Sequence, residues 1–127
     1  MHKTVLIAED EPYIVQSLSF LLEKEGLVVD VAVDGRKTLD MLRKNPPDIL
    51  LLDLMMEHLT GFEVLKILRS EQELKDIKVL VLSAKGQEND RRRVMELGAD
   101  KFITKPYANN NVVQSVLELL QSIPQSQ

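Results

Sequence analysis

Four consecutive aliphatic residues, Ile49-Leu50-Leu51-Leu52, run into Asp53, and Leu54-Met55-Met56 continue the apolar stretch beyond it. So short a run, apolar at every position, reads as a strand of a parallel sheet covered on both faces. A second run, Val5-Leu6-Ile7-Ala8, closes in Glu9-Asp10-Glu11. Both runs therefore end in carboxylate. An ionised carboxylate in a doubly covered strand costs several kcal/mol unless something pairs with it, so Asp53 calls for a functional explanation.

The rest of the chain supplies what such a sheet needs. Strand candidates near Thr4–Ala8, Val28–Ala32, Ile49–Leu52, Lys78–Leu82 and Lys101–Ile103 alternate with segments of helical period, which predicts an α/β fold. The first helix, about Pro12 to Lys24, repeats Ile14, Leu18, Leu21 and Leu22, carries proline near its first position and stops at Gly26. The second, about Arg36 to Lys44, lies between Asp34-Gly35 and Asn45-Pro46-Pro47. The others are expected from roughly Gly61 to Ser70, Asn89 to Leu97 (before Gly98) and Asn110 to Ser122.

With 127 residues, 44% of them hydrophobic, the chain is sized for one domain with a full core. We expect residues 1–123 to form it, and 124–127 to be a polar tail or the start of a linker. A net charge of −4 provides no basic field for direct nucleic-acid binding. The absence of cysteine excludes disulfides and thiolate metal sites and fits a reducing compartment. The four apolar residues after Met1-His2-Lys3-Thr4 are too few for a signal peptide or a membrane span, so a soluble cytoplasmic protein is expected, with no membrane partner.

Strand-helix-strand crossovers are right-handed, so all strand C-termini meet at one rim, where ligands bind beside the switch point. That rim collects Glu9-Asp10, Asp53, Ser83 and Lys105. In the doubly wound order 2-1-3-4-5, strands one and three are neighbours and bring Asp10 and Asp53 to within one strand spacing, ~5 Å. Such carboxylates repel and invite a cation. Taken singly, the acids could favour a helix N-terminus, Ser83 could cap a helix and Lys105-Pro106 could end a strand. Together they provide hard oxygen ligands, a carboxylate nucleophile, a hydroxyl donor and an ammonium, the equipment of phosphoryl transfer.

At these residues the chain resembles the response-regulator receiver domains of two-component phosphorelay signalling, from Val5 to about Leu120. The motifs are Val5-Leu6-Ile7-Ala8-Glu9-Asp10-Glu11, Leu51-Leu52-Asp53-Leu54-Met55-Met56 with Gly61-Phe62-Glu63-Val64-Leu65, Leu82-Ser83-Ala84, and Gly98-Ala99-Asp100 with Thr104-Lys105-Pro106. The resemblance implies a flavodoxin-like, doubly wound five-stranded parallel sheet in the order 2-1-3-4-5, with five helices. It implies that Asp53 accepts a phosphoryl group from a sensor histidine kinase or a histidine phosphotransfer protein. The domain would catalyse its own Mg²⁺-dependent phosphorylation and dephosphorylation rather than turn over a separate substrate. Asp10 directly, Glu9 through water, Asp53 and the backbone carbonyl of Met55 would hold Mg²⁺, while Ser83 and Lys105 would contact the phosphoryl group. Ser83 and Phe102 would form the switch that reshapes the face of helix four, strand five and helix five for a downstream effector or output domain. The bond to Pro106 would be cis.

The chain departs from the common pattern at Glu57, where proline is usual, at His58 and Thr60, where glycine and aspartate are usual, and at Phe102, where tyrosine is frequent. Asn111 and Ser115 stand where winged-helix regulators carry charged residues that pair receivers, so a monomer is expected when unphosphorylated. Val112, Val113, Val116, Leu117, Leu119 and Leu120 are more than one core stripe requires, predicting an exposed apolar strip on helix five. Arg91-Arg92-Arg93 reads as solvated helix surface, and Tyr107 as packing.

Two rival chemistries fail on single positions. A flavodoxin needs a hydroxyl- and glycine-rich phosphate loop where Glu9-Asp10-Glu11-Pro12 stands, and an aspartyl phosphohydrolase needs a second Asp where Met55 stands. The remaining alternative is a receiver fold used as a protein-binding module without phosphorylation.

Overall fold

The computed structural model describes residues 3–83, 88–105 and 107–123. Among them, strands and helices alternate in the order β1 (Thr4–Ala8), α1 (Pro12–Lys24), β2 (Val28–Ala32), α2 (Gly35–Lys44), β3 (Ile49–Asp53), α3 (Gly61–Ser70), β4 (Lys78–Ser83), α4 (Glu88–Glu96), β5 (Lys101–Thr104) and α5 (Asn109–Gln121). The strands form one parallel sheet in the order β2-β1-β3-β4-β5, as expected. β3, β4 and β5 each run one residue past the apolar stretch that marks them, because a backbone ladder is indifferent to side-chain polarity. Asp53 still pairs with Leu82, and Ser83 with Thr104. No helix among the described residues is long and apolar enough to cross a membrane.

Side chains of a strand alternate between the two faces of the sheet, and two buried clusters follow from that period. Val5, Ile7, Ile49, Leu51, Leu80 and Leu82 meet Leu18 and Leu22 of α1 and Val112 and Val116 of α5. Leu6, Ala8, Leu50, Leu52, Val79 and Val81 meet Leu39 and Leu42 of α2, Val64, Leu65 and Leu68 of α3, and Val94 of α4.

Helix ends follow local chemistry. The Asp34 side chain accepts from Lys37 N and starts α2 one residue earlier than the sequence suggests. Thr60 and Glu63 form a capping box on α3, which gives the Thr60 departure a structural job.

One expectation is corrected and another is borne out with an addition. No wide apolar strip is left exposed on α5: Val112, Val113, Val116, Leu119 and Leu120 are buried, and Leu117 packs against their cluster. The helix lies in a groove between α1 and the sheet, so more than one of its stripes is covered. Arg91 and Arg93 are exposed, as a solvated surface requires, yet each also covers an aromatic ring. Arg91 lies 5.9 Å from the Phe102 centroid and Arg93 3.9 Å from that of Phe62. Two positions apart on a helix, they leave α4 on opposite sides, one toward β5 and one toward α3.

Candidate functional site

The rim residues close the apolar columns or follow the strands directly. Asp53 continues the Ile49-Leu51 column on the sheet face that packs α1 and α5, while Glu9 and Lys105 directly follow the ends of β1 and β5. Ser83 continues the Val79-Val81 column on the face that packs α2, α3 and α4, and Asp10 lies just past the end of β1. Strand period thus delivers groups to one rim from both layers.

The structure brings the expected residues together. One carboxylate oxygen from each of Glu9, Asp10 and Asp53 lies within 4.8 Å of the others. Asp10 is exposed, whereas Glu9 and Asp53 are only 1% and 5% accessible. Lys105 Nζ stands 3.8 Å from Asp53 Oδ2 and 3.4 Å from Glu9 Oε1. The second contact was not legible in the sequence, because β3 and β4 lie between β1 and β5 in the sheet and the reach of the Lys105 side chain decides it. Glu9 Oε2 also accepts from the backbone N–H groups of Asp10 and Glu11, each at 3.1 Å. Those contacts do not offset its position: burial first, and the Asp53 charge second, push the Glu9 carboxyl up to about 7. Three convergent carboxyls are a hard-oxygen site suited to a small divalent cation.

Ser83 is 1% accessible, and its hydroxyl has no hydrogen-bond partner among the described residues. The Ser83 carbonyl accepts from Lys105 N at 2.6 Å, which ties the ends of β4 and β5. A buried donor left without a partner costs about 1–3 kcal/mol. Phe102 is half-buried on the same sheet face, pairing in register with Val81, the residue that precedes Ser83 in its column.

The loop after Asp53 is held from several sides. Met55 N donates to Asp53 Oδ1 at 3.2 Å, and the Met55 side chain is exposed. His58 adopts φ 72°, a left-handed conformation that suits the glycine usual here and that histidine tolerates better than most residues. Its ring faces Asp34 Oδ2 at 3.8 Å, and Gly35 N donates to the backbone carbonyl of Glu57, so the His58 side chain and the Glu57 main chain tie this loop to the start of α2. The Pro106 bond, expected to be cis, lies outside the described residues.

Tyr107 packs against a buried cluster, as the sequence suggests. The Tyr107 hydroxyl is buried without a partner among the described residues, and burial, then the charges of Glu9 and Asp53, push its pKa up to about 12.

The sequence profile described as the response regulator receiver domain matches residues 5–117. The chain is 41% identical over 107 residues to the response regulator GtcR of Aneurinibacillus migulanus, covering 84% of this chain and 43% of that protein. It is 35% identical over 123 residues to the phosphate regulon transcriptional regulatory protein PhoB of Escherichia coli, covering 97% of this chain and 54% of that protein. Its backbone is similar to the receiver domain of the Francisella response regulator 1452, with TM-score 0.87, 30% identity, and 95% and 98% of the two chains covered. The chain spans about half the length of these curated relatives.

Proposed function

The chain belongs to the response regulator receiver domain family, and from that premise we propose that it is a phosphorylation-activated signalling switch with Asp53 as the acceptor. The observation that carries this reading is a near-buried carboxylate flanked by two further carboxyls, an ammonium and an orphaned buried hydroxyl on one rim.

Asp53 Oδ attacks phosphorus of a phosphohistidine; a P–O bond forms as the P–N bond breaks, and the imidazole leaves with the electron pair. Asp10 directly, Glu9 through water, Asp53 and the Met55 carbonyl are the groups that would hold Mg²⁺. When bound, Mg²⁺ neutralises carboxylate charge and stabilises the charge on the transferring phosphoryl oxygens. Lys105 offsets the same charge from the ammonium side, and Ser83 donates its free hydroxyl to the phosphoryl group. As Ser83 moves toward that group it vacates volume beside Val81, into which the Phe102 ring turns, reshaping the face of α4, β5 and α5. The phosphoryl donor is a sensor histidine kinase or a histidine phosphotransfer protein, and the reader is a downstream effector or output domain. Residues 1–123 act as the receiver, in the cytoplasm, without direct contact to nucleic acid.

With Mg²⁺ and acetyl phosphate, the protein should gain one hydroxylamine-labile phosphoryl group, and Asp53→Asn should gain none. Equal labelling of Asp53→Asn rejects the acceptor. A folded wild-type protein that takes no label supports instead a binding module that acts without phosphorylation.

A further inference from the structure

We propose that Arg91 is a positioning residue for the switch: its guanidinium, seated over the Phe102 ring, holds that ring outward until a phosphoryl group draws Ser83 away. This rests on the switching role proposed above for Ser83 and Phe102, and adds the group that opposes the switch.

Phe102 lies on β5, at the edge of the sheet, half-buried against the cluster under α4, with Val81 as its register partner. A phenyl ring has no polar atom. Burial alone therefore favours its inward position beside Val81 and Ser83, and no side-chain hydrogen bond can hold it out. Arg91 supplies the opposing attraction through the ring face, with its guanidinium carbon 5.9 Å from the centroid. Val94, three positions further on the same side of α4, is buried in the cluster and fixes the place from which Arg91 reaches. Arg91 itself is exposed, so it meets the ring from the solvent side. A cation–π contact extends to about 6 Å, and a ring that turns inward from 5.9 Å passes out of it at once. Arg93, by contrast, stands 3.9 Å from the Phe62 centroid, well inside that reach, and Phe62 belongs to α3 rather than to the switch. α4 therefore keeps its hold on α3 while its contact with β5 is released.

Such a contact opposes switching, so its removal should tighten binding of beryllofluoride, which mimics the phosphoryl group. Charge alone predicts the opposite, since loss of a cation weakens the attraction for an anion. With Mg²⁺ present, Arg91→Gln should bind beryllofluoride about two- to fivefold more tightly than wild type, the factor that an exposed cation–π contact is worth. Arg92→Gln removes the same charge from the neighbouring exposed position and should bind no more tightly than wild type. In a Phe102→Leu background, Arg91→Gln should lose its effect, because the ring face is gone. The chain has three phenylalanines, so fluorine NMR of fluorophenylalanine-labelled protein follows Phe102, assigned through Phe102→Leu. Its signal in ligand-free Arg91→Gln should move toward the position that beryllofluoride gives it in wild type. Equal or weaker beryllofluoride binding by Arg91→Gln, equal tightening by Arg92→Gln, or an unmoved ligand-free signal overturns the proposal while leaving the switch in place. A wild-type protein that binds no beryllofluoride, or whose Phe102 signal ignores it, overturns both readings.

Discussion

Glu9 carries opposing demands in one side chain. It is buried at the end of β1, within reach of Lys105, yet burial and the Asp53 charge raise its carboxyl to about 7. Folding therefore favours its acid form. The contribution of that preference to stability is complete below the ordinary carboxyl range near 4.5 and is lost as pH rises through about 7. Without metal, Glu9→Gln should match wild type in stability near pH 4 and exceed it at pH 8 by about 1–3 kcal/mol, each pKa unit being worth about 1.4 kcal/mol. Urea unfolding across pH in the presence of chelator checks this. A difference that does not grow between those pH values would mean that Glu9 ionises as freely in the fold as outside it. Saturating Mg²⁺ should flatten the wild-type profile, because the cation competes with the proton for the same oxygens.

At the scale of elements, the helices are held to the sheet by different means. Among the described residues of α4, Val94 alone is buried, and the guanidinium groups of Arg91 and Arg93 supply the remaining grip on Phe102 and Phe62. α3 is secured by Arg69, whose guanidinium donates to the carbonyls of Lys75, Ile77 and Gly98 and to the Asp100 carboxylate. Asp100 in turn accepts from Val79 N at 2.8 Å, so one side chain ties α3 to the start of β4 and to the turn before β5. This gives the Gly98-Ala99-Asp100 motif a physical basis. A Cβ at Gly98 would stand 2.9 Å from Arg69 Nε, and the backbone there has φ +105°. Arg69→Ala should lower stability by about 2–4 kcal/mol, since it strips several part-buried acceptors of a charged donor. A loss under about 0.5 kcal/mol, the range of ordinary surface substitutions, would show that solvent replaces the guanidinium at little cost.

At the scale of the whole molecule, two helical layers cover a five-stranded sheet, and α5 is spent on the core. The charged residues on its side of β5, Lys101 and Glu118, bind each other within the chain, while Asn111 is exposed and uncharged. Among the described residues of α5, no wide apolar strip is left exposed for self-association. Sedimentation should give a monomer both with and without beryllofluoride, a phosphoryl mimic. A salt-sensitive dimer on activation would mean that the Lys101–Glu118 pair opens and re-forms between copies.

Asp10, Asp53, Ser83 and Lys105 were legible without coordinates because each terminates an apolar run, and a parallel sheet brings all its strand ends to one rim. Most element bounds were legible for a related reason, since period, caps and proline breaks are local, whereas the strand order was implied by the resemblance to receiver domains. What only the tertiary structure decided are relations between elements distant in sequence. The Lys105–Glu9 contact, the arginines of α4 over Phe102 and Phe62, the covering of α5 and the confinement of the Tyr107 hydroxyl are of this kind. Each depends on which side chains meet after the sheet has twisted and the helices have settled into their grooves, and no periodicity along one segment encodes what lies across from it.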